Sequence, residues 1–212
     1  MSGTITTGKV RFSYLTVFQA REPQGGGAPK FSVTLLIPKS DVTTKQALDA
    51  AIAQTIQEAL GTTFGGIQPP PANQPIHDGD GLRQSGEPYG PECKGCWVVN
   101  ASTTQRPEVV DINCQPIIDQ TQIYSGCYGR ASLRFFAYNK AGKKGIGCGL
   151  GNIQKLADGE PLSGRTTAAE DFGVPTQQSY TAPVQQPYAA PQTTAIDPIT
   201  GQPINMGQIL GL

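Results

Sequence analysis

The chain has 212 residues and no net charge, with 16 Lys/Arg against 16 Asp/Glu. Hydrophobic residues make up 37% and charged residues 15%, both low for a globular domain, while Gly (26) and Pro (18) are abundant. That composition argues against a large core and for one modest, loop-rich domain with an appendage. No stretch approaches transmembrane length. The N-terminus (MSGTITTGKVRF) lacks the apolar run of a secretory signal. The five cysteines (Cys93, Cys96, Cys114, Cys127, Cys148) are therefore expected as reduced thiols in a cytoplasm. The zero net charge hides a split. Residues 1–157 hold 15 Lys/Arg and 11 Asp/Glu, a net +4, and residues 158–212 hold one Arg and five acids, a net −4. A mildly basic body suits a polyanionic partner.

Residues 9–18 (KVRFSYLTVF) alternate with period two. Val10, Phe12, Tyr14, Thr16 and Phe18 are expected on an apolar face, and Lys9, Arg11, Ser13 and Leu15 on the other. Gly25-Gly26-Gly27 between Pro23 and Pro29 reads as a hairpin-type connection. Residues 30–37 (KFSVTLLI) alternate again, and Pro38 closes that strand because it has no ladder donor. Residues 43–60 form the one clear helix. Ser40 or Asp41 caps it, Leu48, Ile52, Ile56 and Leu60 make its stripe, and Gly61 sits where a terminating glycine belongs.

Residues 61–95 are a Gly/Pro-rich excursion, long enough to be functional or mobile. Its Asp78-Gly79-Asp80-Gly81 lacks the ligand spacing and closing Glu of a calcium loop and reads as a turn. Short strands follow at 96–101 and 109–112.

The densest information lies in residues 124–156 (YSGCYGRASLRFFAYNKAGKKGIGCGLGNIQKL), with six basic residues, five aromatics and no acid. Ala131, Leu133, Phe135 and Ala137 alternate onto a core face. Arg130, Ser132, Arg134, Phe136 and Tyr138 fall on the other. Cations beside rings are the chemistry that holds a flexible polyanion with exposed bases: guanidinium and ammonium groups take phosphates, and ring faces stack on bases. Glycines at 145, 147, 149 and 151 share one face of the next strand, where another backbone or a nucleotide can approach closely. They do not complete a dinucleotide fingerprint. From Gly173 onward the chain has six prolines, seven glutamines and a single charge, Asp197, and reads as disordered.

Nothing marks a catalytic set. His77 is the one histidine, no nucleophile elbow or P-loop occurs, and Cys93-Lys94-Gly95-Cys96 is half of a zinc motif without its partner. No cofactor, metal or membrane is expected.

Several blocks together resemble a phage-encoded family of single-stranded DNA-binding proteins, formerly catalogued as a domain of unknown function. They are GKVRFSYLTVFQAR, KFSVTLLIPKSD, DGDG, NASTTQRPEVVD and YSGCYGRASLRFFAYNKAGKKGIGCGLGNIQKLADGEPLSGR, with Ala169-Glu170-Asp171-Phe172 behind them. The resemblance spans residues 8–172 and is densest in the last block. It implies a mainly β chain: an OB-fold-like (oligonucleotide/oligosaccharide-binding) small barrel with one packed helix and long loops. It also implies non-catalytic coating of single-stranded DNA during phage replication and recombination, in the cytoplasm of an infected bacterium. The expected division is a binding domain at 1–172 and a disordered Pro/Gln-rich tail at 173–212. Phage or host replication and recombination proteins, and further copies of the chain, are candidate partners.

By pattern, the phosphate-holding candidates are Arg11, Arg106, Arg130, Arg134, Lys140, Lys143 and Lys144. The stacking candidates are Tyr124, Tyr128, Phe136 and Tyr138, with Trp97 as either a stacker or a core residue. The rival reading is a virion structural or assembly protein that uses the Pro/Gln tail as a docking arm.

Overall fold

The computed structural model describes residues 3–23 and 26–162. The expected tail and its boundary at 172/173 lie outside the described residues. In chain order the elements are β1 (Ile5–Thr6), β2 (Val10–Arg21), β3 (Lys30–Pro38), α1 (Val42–Leu60), β4 (Ile76–Asp78), β5 (Cys96–Thr103), β6 (Val109–Val110), β7 (Tyr128–Lys140) and β8 (Lys143–Ala157). Short 3-10 turns stand at Pro71–Asn73, Pro91–Cys93 and Gln120–Gln122.

Five strands close a ring in the order β2-β3-β5-β8-β7 and back to β2. An odd ring cannot alternate direction all the way round, so one seam must be parallel. That seam is β5–β8, paired at Ser102–Gly149; every other junction of the ring is antiparallel. This is the expected OB-like barrel, with α1 the one α-helix among the described residues. Closure also removes exposed sheet edges from the ring.

The interior is filled by the inward halves of the alternating strands: Val10 and Phe12 from β2, Val33, Leu35 and Ile37 from β3, Val99 and Ala101 from β5, Leu133 and Phe135 from β7, and Ile146, Cys148 and Leu150 from β8. Helix α1 packs against β7 and β8 and adds Leu48, Ala51, Ile52 and Ala59 to the same core. The Asp41 carboxylate caps it, accepting from the Thr44 amide at 3.0 Å.

Three expectations need correction. Gly61 stays in a right-handed conformation, and the chain instead leaves the helix through a turn in which the Phe64 amide donates to Ala59 O at 3.0 Å. Phe64, fully buried, was not foreseen as core. The alternation of β2 breaks at Tyr14. A register shift between Ser13 and Thr16 marks a bulge, so the extra residue turns the later side chains over. Tyr14 is 64% exposed, and Val17 rather than Thr16 or Phe18 is fully inside.

The 61–95 excursion also holds more order than a loop reading implies. Strand β4 adds to β5, and a small second cluster of Leu36, Val98 and Cys93 lies on the outer side of β3 and β5, packed by Tyr89, Cys96 and Leu162. Asp78–Gly81 is a turn, as expected, with Asp78 and Asp80 both ion-paired to Lys39.

Candidate nucleic-acid interface

Strands β7 and β8 form a long hairpin, paired from Tyr128–Ala157 to Lys140–Lys143 and turned by Ala141 and Gly142 at φ 50° and 81°. Positive φ at both turn residues matches the right-handed twist of the strands. The two faces of β7 separate as expected. Ala131, Leu133 and Phe135 are buried, Arg130, Arg134 and Phe136 are exposed, and Tyr138 is half-buried.

The β8 glycines explain how the outer face is built. Phe136 is the register partner of Gly147, Tyr138 of Gly145 and Arg134 of Gly149. A Cβ on Gly147 would collide with the Phe136 ring, and one on Gly145 with the end of Tyr138. Both aromatics therefore lie down across bare backbone, covering the glycines as rings do in cross-strand aromatic–glycine pairs. Phe136 remains 50% exposed. The ring rests over the glycine on one side and stays open to solvent on the rest.

Arg134, exposed beside it, has no hydrogen bond or ion pair among the described residues. Arg130 is fixed differently. Its Nε and Nη2 both donate to Gln154 Oε1, at 3.1 and 2.6 Å. Lys140 and Lys143 stand exposed at the hairpin tip. Neither strand carries an acid. Glu58 of α1 borders the cleft beside Arg134 and Phe136.

The remaining sequence candidates are engaged with the protein itself. Lys144 donates to the Phe64 carbonyl. Arg11 donates to the carbonyls of Gly126 (3.2 Å) and Glu160 (2.7 Å). With Lys9 it also lies over the Tyr128 ring, at 5.8 and 5.0 Å from the centroid. The Tyr124 ring packs on the core, and its hydroxyl donates to Gly159 O at 2.8 Å. Trp97 packs on the core between Lys39 and Lys45, whose ammonium groups are 5.0 and 4.6 Å from its centroid. Arg106 stands 6.0 Å from the Phe18 centroid, on the loop after β5. The structure thus brings Arg130, Arg134, Phe136, Tyr138, Lys140 and Lys143 onto one surface, with Tyr128 on the same face of β7 two residues before Arg130 and Arg11 over its ring, and leaves Trp97, Arg106, Tyr124 and Lys144 off it.

Among the described residues no group of three or more His, Cys, Asp or Glu side chains is placed to hold a metal, and no helix is long and apolar enough to cross a membrane. All five thiols are free. Burial pushes Cys148 up to about 12 and, together with Glu92, Cys93 up to about 11, far from the thiolate a reactive cysteine needs.

The family described as "Enterobacter phage Enc34, ssDNA-binding protein" matches residues 3–182. The chain belongs to this family. A relative, protein p50 of Acyrthosiphon pisum secondary endosymbiont phage 1, is 31% identical over 175 residues, covering 79% of this chain and 91% of its own. The Enc34 single-stranded DNA-binding protein, solved in complex with ssDNA, superposes with a TM-score of 0.67 at 30% identity, over 76% of this chain and 90% of that one. The bacteriophage T7 single-stranded DNA-binding protein gp2.5 shares the fold, with a TM-score of 0.52 at 14% identity, over 79% of this chain and 99% of that one. The Enc34 match reaches beyond the barrel and into the segment after β8.

Sequence reasoning missed the exposed aromatic Tyr14, and Tyr89 with Arg83 stacked over it at 5.2 Å. A bulge leaves no periodic trace. An Arg and a Tyr six residues apart in a Gly/Pro-rich excursion have no spacing that announces a stack.

Proposed function

We propose that this member of the Enc34 family is a non-catalytic, largely sequence-independent single-stranded DNA-binding protein. It coats and protects the strand during phage DNA replication and recombination, in the cytoplasm of the infected host. The observation that carries the reading is the Phe136 ring, resting over Gly147 and half exposed, beside Arg134, which has no partner among the described residues, on an acid-free strand pair. A flat ring accepts any base, because every base has a π-face, and the guanidinium takes a phosphate of the same strand. Arg130, Lys140 and Lys143 extend the phosphate track along the hairpin, and Tyr138 continues the stacking surface. Tyr124 and Lys144 support the barrel rather than the ligand. With this reading goes the division into a binding domain at 1–172 and a Pro/Gln-rich tail at 173–212.

The test is a salt titration of fluorescence anisotropy with a labelled dT oligomer, alongside the duplex of equal length. Strand-selective binding whose affinity falls steeply with salt supports the reading. Absence of binding at low salt sinks it and favours an assembly role. Deleting residues 173–212 and repeating the titration tests the domain boundary.

A further inference from the structure

Arg130 and Arg134 are exposed on the same face of β7, four residues and roughly 13 Å apart along the strand. Only Arg130 is held, and the residue that holds it is Gln154. Gln154 is the register partner of Arg130 across the β7–β8 pairing and of Val110 across the parallel β6–β8 pairing. Its side-chain amide therefore lies between β7 and the turn that follows β6. The amide oxygen accepts from Arg130 Nε at 3.1 Å and from Nη2 at 2.6 Å. The amide nitrogen donates to the carbonyls of Asp111 at 3.1 Å and Ile112 at 3.3 Å. Carbonyls can only accept, so these two fix which end of the amide faces Arg130. The turn is itself braced. Asp111 Oδ1 accepts from the amides of Asn113 and Gln115, both at 2.8 Å, and Val110 bridges to Pro116.

A guanidinium carries five N–H donors in a rigid fork. Gln154 occupies the Nε–Nη2 edge. That leaves the Nη1–Nη2 edge, a pair of parallel donors that fits two oxygens of one phosphate. The clamp is also neutral. A Glu at this position would hold the same edge of Arg130 but cancel the charge that attracts the strand, whereas Gln fixes the direction and leaves the charge whole. An Arg side chain gives up much rotamer freedom when it is ordered, and here that loss is taken during folding instead of during binding.

We infer that Gln154 is a positioning residue: braced by the 111–115 turn, it aims the free edge of Arg130 at a phosphate of the bound strand. The inference rests on the single-stranded DNA reading and adds to it the residue that orients one phosphate contact.

The experiment uses the full chain and a labelled dT oligomer, with anisotropy read across a salt series and the thermal midpoint read alongside. The variants are Arg130→Ala, Gln154→Ala, the two together, and Gln154→Glu. R130A should lower the salt slope by about 0.7, one phosphate's share on a single strand. Q154A keeps the Arg130 charge, so the slope should hold while affinity falls about twofold to tenfold. In the R130A background Q154A has nothing left to aim and should not change affinity. Q154E restores the clamp but neutralises it, so the slope should drop as in R130A. Gln154→Met keeps the length of the stem without either polar end and should match Q154A, which separates lost orientation from lost packing. A residue that only supports the fold would weaken binding alike with and without Arg130, in step with the midpoint. Equal losses from Q154A in both backgrounds, or no loss in wild type, overturn the inference. R130A binding like wild type removes the inference alone. Should wild type bind no oligomer, the single-stranded DNA reading fails with it.

Discussion

Phe136 and Gly147 can be tested as a unit. Truncating Phe136 to Ala removes a ring that is half-buried against the glycine. Complete burial of such a side chain is worth about 1.5–3 kcal/mol, so half of it puts the stability cost at about 1 kcal/mol. In a domain of this size that lowers the thermal midpoint by roughly 2–4 °C, and the variant stays folded at room temperature. Binding should suffer more. Losing one stacked base costs about 1–3 kcal/mol, a weakening of roughly fivefold to a hundredfold. Gly147→Ala removes nothing from the ligand, yet its methyl occupies the place where the ring rests, so the platform lifts and most of the same affinity is lost. In the F136A background there is no ring to displace, and G147A should leave binding unchanged. The double-mutant cycle therefore predicts a coupling of about 1 kcal/mol or more, read by anisotropy with a dT oligomer at fixed salt. Strictly additive losses, or F136A binding within twofold of wild type, would refute the platform.

Arg134→Ala should reduce the salt slope of binding by about 0.7, one phosphate's share on a single strand, and leave the thermal midpoint unmoved. Arg11→Ala should do the reverse, lowering the midpoint while the salt slope holds, because its guanidinium ties Gly126 to Glu160. Burial holds His77 below its ordinary value of 6.5. The unfolded chain then binds the extra proton first, so its contribution to stability is complete above pH 6.5 and is lost as pH falls through the folded-state value. Chemical denaturation across that window should show the loss, and His77→Gln should flatten it. With a thiol reagent, exposed Cys114 should react first, while Cys93, Cys127 and Cys148 wait for unfolding; early labelling of Cys148 would contradict its burial.

How much of this was legible in the sequence depended on where each residue's partner lay. The two faces of β7 could be read directly, since Leu133 and Phe135 alternate with Arg134 and Phe136 inside one unbroken strand. The glycine spacing on β8 was equally visible, but its purpose was not, because the rings that need it belong to the preceding strand. Barrel closure could not come from periodicity at all: it depends on pairings such as Val10–Gly129, and was expected only through the family resemblance. Basic and aromatic residue types also did not separate the surface from its scaffolding. Trp97 sits between two lysines and Tyr124 is locked by its hydroxyl, using the same chemistry inward that Arg134 and Phe136 offer outward. The misplaced face of Tyr14 came from the bulge between Ser13 and Thr16, where an inserted residue puts the strand out of phase with its own pattern.

The ring's seams differ in strength, and this bears on how the molecule forms and opens. The β7–β8 hairpin joins neighbours in sequence through a two-residue turn, so it can form early with little loop-closure entropy. The β2–β7 seam joins residues more than a hundred positions apart through Val10–Gly129 and Arg11–Tyr128, and β5–β8 meets at the single Ser102–Gly149 pairing. Sub-global openings should therefore begin at these two seams, with hydrogen exchange at Val10 and Arg11 running ahead of exchange in the middle of the hairpin. The barrel can breathe there while Phe136 stays seated on Gly147, so the surface that would meet the strand keeps its shape even when the fold behind it is partly open.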